Sequence, residues 1–310
     1  MESMTSTKYR YLFLFFLTTV IWGFGFLVVK NLTNRETPVY FILTGRFVLG
    51  ATTLCLCRKL AKSPKLCAKE ARRGAICGTV LFAAFATQTW GTTMTTPAKN
   101  GMLTGTYVLF VPLFLTAMER KIRLRPIVDA AICSVGLFIF FEVYRDTTAF
   151  NMGAFFSLVS GVFFAVHFLA TERLASRSDP LNSAVSQLAT VAVWAILFSA
   201  LFERDKIDFA TIATPRSALE FLYLGAISTG FAYWSQVLAQ SKLESTVISV
   251  VACLESIFAV VFSIIFGYET ISVGIVVGSL IVLVATARSA AAPLPGEEKM
   301  KDENAGEKIA

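Results

Sequence analysis

The sequence predicts an all-α integral membrane protein, with ten transmembrane helices arranged as two inverted five-helix repeats. Three observations support this prediction. Apolar residues make up 55% of the 310 residues and charged residues only 16%, whereas soluble domains have about 25% charged residues. The apolar residues fall in ten runs, each of which is long enough to cross a bilayer. The basic residues between these runs lie mostly on one predicted side of the membrane.

Short connections separate the ten runs, and none of them is long enough for a soluble domain. Lys8 and Arg10 precede the first run, as in a secretory signal peptide, but the run is longer than the apolar core of a cleaved signal. We therefore expect it to remain as the first helix. The predicted spans are 11–30, 39–57, 74–94, 99–118, 126–144, 151–171, 181–202, 217–238, 244–266 and 270–288.

These spans predict four regions along the chain. Residues 1–10 form a cytoplasmic N-terminus, residues 11–145 the first repeat and residues 151–290 the second repeat. Residues 291–310 are polar and have no apolar period, so we expect a disordered cytoplasmic tail.

The distribution of basic residues predicts the orientation. With both termini inside, 20 of the 27 lysines and arginines in the loops, the tails and the ends of the spans lie on the cytoplasmic side. Loops 58–73 and 119–125 are the most basic. Because such loops stay in the cytoplasm, we expect a multi-pass protein of a bacterial cytoplasmic (inner) membrane with both termini cytoplasmic. The basic residues are read as orientation signals, so no nucleic acid partner is expected.

Five spans per half is an odd number, so the second repeat should be inverted relative to the first. An offset of 144 residues aligns Trp90 with Trp234 and Gly105 with Ser249. Inverted repeats are typical of secondary transporters, whose solute site lies near the membrane midplane between the halves. One face of the ninth predicted helix carries small residues that leave room for a neighbouring helix or a solute: Ser245, Ser249, Ala252, Ser256, Ala259 and Ser263.

Ionisable residues inside a membrane are costly and indicate function unless they reach water or a partner. Asp129, Glu142 and Glu220 lie near predicted span ends, where we expect them to be solvated. Arg46 and Glu255 lie deeper in their spans. Two interpretations stay open: a static ion pair between them, or binding of a charged solute group or a proton by one or both.

Aromatic and polar side chains suited to an amphipathic solute accompany these two charges. Trp22 shares a face of the first predicted helix with Thr18 and Phe26. Ordinary helix packing is the alternative for each of these residues. The predicted substrate-binding residues are Trp22, Arg46, Gln88, Thr104, Tyr107 and Glu255.

Motifs of common enzymes are missing from the sequence. His167 is the one histidine, which excludes a two-histidine zinc motif, and no nucleophile elbow or phosphate-binding loop is present. We therefore predict no enzymatic activity, no catalytic residues, no metal site and no cofactor. A membrane-embedded enzyme or a channel is the alternative function. His167 itself is either a hydrogen-bonded link between helices or a proton relay.

Several short motifs resemble those of the EamA family of the drug/metabolite transporter superfamily. Trp22-Gly23-x-x-Phe26 with Lys30, followed by Arg46-Phe47, resembles the start of the family pattern. Further similar segments lie between Gln88 and Phe114 and at Gln240, Leu254-Glu255 and Gly267-Tyr268-Glu269.

The resemblance implies a secondary carrier, in most members an exporter of amino acids, their derivatives or toxic compounds, that does not hydrolyse ATP. The family usually has proline after the ninth-helix glutamate, where this chain has Ser256. We therefore expect a proline kink in the fourth helix, at Pro112, and none in the ninth. The identity of the solute, coupling to protons, the net direction of transport, and the choice between monomer and homodimer stay open.

Overall fold

The computed structural model describes residues 2–120, 122–140, 151–175, 178–208, 214–268 and 270–291, and their side chains except those of 2–7, 175 and 290. The described residues form helices, which group into ten along the chain, and no β-strands. The prediction of an all-helical fold is therefore confirmed. Residues 141–144 of the fifth predicted span, Glu142 among them, and the tail from 292 onwards lie outside the described residues.

The ten helices lie where the apolar runs predicted them. We number them α1 (Glu2–Asn34), α2 (Val39–Leu60), α3 (Ala68–Met94), α4 (Pro97–Gly105 and Tyr107–Glu119), α5 (Leu124–Phe140), α6 (Met152–Ala170), α7 (Pro180–Phe202), α8 (Pro215–Leu222, Tyr223–Phe231 and Ala232–Gln240), α9 (Ser245–Ala252 and Leu254–Ile265) and α10 (Val273–Ala290). Six of these, α1, α2, α4, α6, α7 and α9, are long and apolar enough to cross a membrane. The remaining four crossings stay a prediction.

Local sequence explains most of the helix starts. Five helices have a threonine, asparagine, aspartate or serine at the N-cap whose side chain accepts a backbone N–H bond, as Asn151 does from Ala154 at the start of α6. Proline occupies the first helical position of α4, α7 and α8, where its missing N–H leaves no bond unmade. Glu203 accepts bonds from the N–H groups of Tyr40 and Phe41 and so caps α2 from another part of the chain.

Contacts between side chains give the direction of each helix relative to its neighbours. Thr18 meets Ser235, and Ile21 meets Tyr223, so α1 and α8 are antiparallel. Similar contacts make α2/α7, α3/α6, α4/α9 and α5/α10 antiparallel. They make α1/α9, α2/α8, α3/α7 and α4/α6 parallel. Odd-numbered helices therefore run one way and even-numbered helices the other.

Glycines allow the closest approaches between these helices. A Cβ added to Gly78 would lie 2.6 Å from the carbonyl oxygen of Gln187, and one added to Gly278 would lie 2.3 Å from the backbone nitrogen of Phe140. Both glycines thus allow tight helix packing. Gly278 packs against α5 of its own chain.

Helices α4 and α9 cross at points where each is interrupted, α4 at Thr106 and α9 at Cys253. The Cys253 thiol lies 3.5 Å from the Gly105 carbonyl, and the Ser256 hydroxyl donates to the Gly101 carbonyl at 2.9 Å. No proline lies at the interruption of α9, as expected from Ser256, yet the helix is interrupted at Cys253. Polar contacts with α4, and not a proline ring, accompany its interruption.

Candidate functional site

A central cavity of about 510 Å³, counted with its opening, lies between the two halves of the chain. Helices α1, α2, α3, α4, α6, α8 and α9 all contribute to its wall. The lining residues are Trp22, Gly25, Phe26, Val29, Arg46, Phe85, Gln88, Thr92, Tyr107, Phe164, Phe168, Tyr233, Gln236 and Glu255.

Five of the six predicted substrate-binding residues line this cavity: Trp22, Arg46, Gln88, Tyr107 and Glu255. Thr104 does not line it. This residue is fully buried behind the wall, where its hydroxyl lies 3.0 Å from that of Ser160 and 3.5 Å from Nε2 of Gln88. The structure brings the five residues together, and their role in binding a solute stays a prediction.

Arg46 is a buried cation held by neutral groups. Its side chain is on α2 and only 5% exposed. Its Nε donates to the Thr229 hydroxyl at 2.6 Å, Nη2 lies 3.4 Å from the Ser228 hydroxyl, and Cζ lies 4.3 Å from the ring centroid of Phe85. Within the described part of the chain no carboxylate forms an ion pair with it. The guanidinium therefore touches no described carboxylate, although Glu255 lies near enough to interact with it electrostatically.

Glu255 is the buried carboxyl group of the same cavity. Tyr107 donates a hydrogen bond from its hydroxyl to Oε1 of Glu255 at 2.9 Å. The interruption of α9 at Cys253 places this carboxylate in the first turn of a new helical segment. Unpaired N–H groups and the helix dipole favour negative charge at that position. This placement, which the sequence did not predict, reduces the cost of burying the carboxylate.

Arg46 and Glu255 do not form the static ion pair that was one interpretation of the sequence. They line the same cavity, yet no salt bridge joins these two described side chains. Each is held by its own set of neutral partners. The cavity wall thus contains a guanidinium and a carboxyl group that do not touch each other.

A π-helical segment of α8, Tyr223–Phe231, supplies the partners of Arg46 and orients Trp22. The indole Nε1 of Trp22 donates to the backbone carbonyl of Ser228 at 3.0 Å. Short π-helical segments occur frequently at functional sites because they expose backbone groups that a regular α-helix would use internally. Gly225, inside this segment, packs against Leu49 of α2. Gly225 is visible in the sequence, but no sequence pattern indicated the π-helix.

Sequence analysis missed several lining residues. Phe85, Phe164, Phe168 and Tyr233 lie in long apolar runs, where an aromatic side chain that faces a cavity looks like one that faces lipid. Gln236 is fully buried, and a polar residue inside an apolar span was a signal that could have identified it.

His167 lies outside the cavity wall. Its Nε2 is 2.8 Å from Oε1 of Gln187, which joins α6 to α7. The expected hydrogen-bonded link between helices is therefore present. Nδ1 of His167 is buried and has no partner among the described residues. No group of three or more metal-ligating side chains occurs in the described ranges.

The expectation that carboxylates near span ends reach water was wrong for Asp129. Its side chain is buried, and Arg288 of α10 donates to Oδ1 at 2.9 Å. Glu220 is partly buried and pairs with Arg35 and Arg216. The sequence could not show that α5 and α10 pack together and so exclude water from Asp129.

Known proteins share both the sequence pattern and the fold. The sequence profile of the EamA-like transporter family matches residues 9–141 and 151–289. An uncharacterized transporter of Archaeoglobus fulgidus is 26% identical over 248 residues, which is 80% of this chain and 75% of that relative. A solved crystal structure superposes with a TM-score of 0.73 and 13% identity, over 90% of this chain and 95% of the other. That likeness concerns the fold alone.

Proposed function

This chain belongs to the EamA-like transporter family, and from that premise we propose that it is a secondary transporter which moves a small solute through the central cavity by alternating access. The solute class is a small metabolite, an amino acid derivative or a drug-like compound. Net export from the cytoplasm is the proposed direction, by analogy with the family. The membrane transporter class itself is supported by the family match and by the transporter relative.

The observation that carries this proposal is that two ionisable side chains line one aromatic cavity without forming an ion pair with each other. Arg46 and Glu255 are 5% and 6% exposed, line the same space and do not pair with each other. A buried charge without a counter-charge costs several kcal/mol in an apolar medium. A solute with complementary charged or polar groups lowers that cost when it binds. Tyr107, Trp22 and Gln88 complete an amphipathic wall around it.

Alternating access requires two halves that can exchange roles, and the helix packing supports such halves. If the two halves, α1–α5 and α6–α10, exchange places, the pair α1/α9 becomes α6/α4, α2/α8 becomes α7/α3, and α1/α8 becomes α6/α3. All six of these helix pairs are in contact. The remaining major pairs, α2/α7, α4/α9 and α5/α10, map onto themselves. In each of these three pairs, the exchange puts an antiparallel helix in the place of its partner. An axis in the membrane plane reverses helix direction in this way, so the arrangement favours inverted repeats.

The helix interruptions favour a different register from the offset of 144. The interruption at Cys253 lies 147 residues after the interruption at Thr106. Gly225 packs on α2 and lies 147 residues after Gly78, which packs on α7. A shift of three residues is close to one helical turn, so both registers place small residues on the same helix face. We propose 147 as the structural offset.

Basic loops meet at one end of the helix bundle. Contacts between Arg58 and Asn182, and between Arg123 and Glu244, bring together ends of α2, α7 and α9 that were assigned to the cytoplasmic side. We propose that this end, with both termini, faces the cytoplasm of a bacterial inner membrane. Single cysteines at Lys62 and Lys206, on a cysteine-free background, test it. An impermeant thiol reagent should label intact cells at position 206 and not at 62; the reverse pattern would refute the orientation.

Uptake by the purified protein in liposomes tests the proposed transport. A panel of labelled amino acids, their derivatives and amphipathic drugs is offered with and without a pH gradient. The proposal expects saturable accumulation or exchange of at least one solute, dependent on Arg46 and Glu255. If no member of the panel moves faster than in empty liposomes while the protein is folded, transport through this cavity is refuted. A dependence on the pH gradient would add a proton as a second partner.

A further inference from the structure

Gln236 is a polar residue of the cavity wall with an unused acceptor. It lies in the last two turns of α8 and is fully buried. Its Nε2 donates to Oε1 of Gln240 at 2.9 Å, whereas its own Oε1 has no hydrogen-bond partner in the described part of the chain. A buried acceptor without a donor is destabilising, and such atoms are uncommon in native proteins. The position at a binding cavity offers a reason for it.

The orientation of the Gln236 amide follows from a chain of hydrogen bonds. Nε2 of Gln240 lies 3.0 Å from the backbone carbonyl of Phe168 and 3.3 Å from the Ser245 hydroxyl. A carbonyl can only accept, so Gln240 must turn its NH₂ group toward Phe168 and its oxygen toward Gln236. Gln236 must then use its own NH₂ group on that oxygen. Its Oε1 is thereby left as the free end of the amide.

Three helices fix this chain. Phe168 belongs to α6, Gln240 ends α8 and Ser245 begins α9. The Ser245 hydroxyl also donates to the Phe168 carbonyl at 3.0 Å, so it accepts from Gln240 while it donates to Phe168. Reversing either amide would oppose two oxygens or two NH₂ groups. The acceptor at Gln236 is therefore held by hydrogen bonds that involve α6, α8 and α9.

We propose that Oε1 of Gln236 accepts a hydrogen bond from an N–H group of the transported solute, and that Gln240 is the positioning residue that keeps this acceptor free. The inference rests on the proposed transport function and deepens it. Arg46 presents donors at another point of the wall and forms no ion pair with a carboxylate of the described residues. The two sites together select a solute that carries an anionic group and a nitrogen donor, with apolar surface between them for the aromatic wall.

A matched pair of probes isolates the nitrogen donor. L-phenylalanine and 3-phenylpropanoate share a ring and a carboxylate, and only the first carries an amino group. Binding of tritiated L-phenylalanine to the purified full chain in nanodiscs, with 3-phenylpropanoate as competitor, gives the ratio of their affinities. We expect the wild type to prefer L-phenylalanine by about tenfold, the effect of one hydrogen bond to a charged donor. The ratio does not depend on the fraction of folded protein.

Variants of Gln236 separate recognition from packing. Gln236→Met keeps the length of the side chain and removes the acceptor, so it should abolish the preference, while Gln236→Glu should retain it. Gln187→Met removes another buried glutamine that joins helices without lining the cavity, and it should leave the ratio unchanged. Equal loss of affinity for both probes in Gln236→Met, with the ratio preserved, would show a purely structural role and overturn the proposal.

The positioning role has its own test, which also serves if Gln236→Met does not fold. Gln240→Met frees the Gln236 amide to rotate, so the preference should fall by several-fold. The double variant should be no worse than Gln236→Met alone, because both act on one acceptor. A full wild-type ratio in Gln240→Met would contradict the positioning role.

Failure of this inference is distinguishable from failure of the transport proposal. A wild-type protein that transports other panel solutes but binds these two probes equally, or binds neither, overturns the role of Gln236 and leaves transport standing. Absence of uptake across the whole panel refutes transport itself.

Discussion

Asp129 and Arg46 are both buried charged side chains, but they lie in different regions and have different partners. Asp129 belongs to the peripheral pair, by which we mean α5 with α10, and Arg288 lies 2.9 Å from it. Arg46 faces the central cavity, where hydroxyl groups and an aromatic ring surround it. A charge that is neutralised by its own chain serves the fold. A buried guanidinium that touches no described carboxylate beside a cavity is, in our proposal, available to a solute.

Glu255→Gln should have the largest effect on the cavity side of this comparison. The variant keeps the shape of the side chain and removes its charge, so uptake should fall by about 100-fold, as expected for loss of a charge-assisted contact. Any dependence of uptake on a pH gradient should be lost as well. The measurement is the initial uptake rate in liposomes at several pH values.

Glu244→Gln is the matched control for Glu255→Gln, because it removes a carboxylate whose partner Arg123 is at the surface. This control should transport as the wild type does. Normal transport with unchanged pH dependence in folded Glu255→Gln would remove this carboxylate from the mechanism.

Gly278→Ala tests how tightly the peripheral pair is packed. The new Cβ would lie within 2.4 Å of three backbone and side-chain atoms of Phe140, so the free energy of unfolding should fall by about 1–3 kcal/mol. Gly101→Ala is the same substitution where α4 crosses α9, and there the nearest atom, the Ala259 Cβ, is 3.5 Å away. It should not reduce stability. Equal thermal shifts for the two variants would show that the two regions do not differ in packing.

Arg288→Gln removes the partner of Asp129 and leaves a buried carboxylate unpaired. Because the Arg288 side chain is half exposed, the expected loss of stability is about 1–2 kcal/mol, between the values for surface and buried pairs. Chemical or thermal unfolding in detergent measures this change. Uptake per folded molecule should stay at the wild-type rate, and a loss of uptake without a loss of stability would place Arg288 in the transport mechanism.

Trp22→Phe should have the smallest effect. The ring remains in the cavity wall, but the hydrogen bond from Nε1 to the Ser228 carbonyl is lost. One neutral hydrogen bond is worth about 1 kcal/mol, so KM for the transported solute should rise about fivefold with little change in maximal rate. An unchanged KM would limit Trp22 to packing.

The ten helices and most of their bounds could be predicted from the sequence, because apolar runs and basic loops record the contact with lipid and water directly. The depth of Arg46 and Glu255 could be predicted for the same reason. Their mutual distance could not, since it depends on how α2 and α9 pack. For the same reason the burial of Asp129 could not be predicted, because it depends on the contact of this residue with α10.

Irregular backbone was the other feature that the sequence did not predict. The interruption of α9 at Cys253 and the π-helix of α8 contain no proline, yet they place Glu255 at a helix start and bring Ser228 and Thr229 to Arg46. Proline marks a kink by its covalent structure, whereas these irregularities coincide with contacts from other helices. Thr104 shows the converse error, since its position on α4 suggested a cavity residue and its hydroxyl instead bonds to Ser160.

Arg46→Gln provides the most direct test of the claim that the uncompensated charge serves transport. Uptake and unfolding are measured on the same preparations of the wild type, Arg46→Gln and Arg288→Gln. We predict that Arg46→Gln loses transport by about 100-fold while its stability is unchanged or higher, because removal of an unpaired buried charge relieves a desolvation cost. Arg288→Gln should instead lose stability and keep the wild-type rate of uptake per folded molecule. If Arg46→Gln is instead destabilised and transports normally per folded molecule, Arg46 is a structural residue and the central claim is wrong.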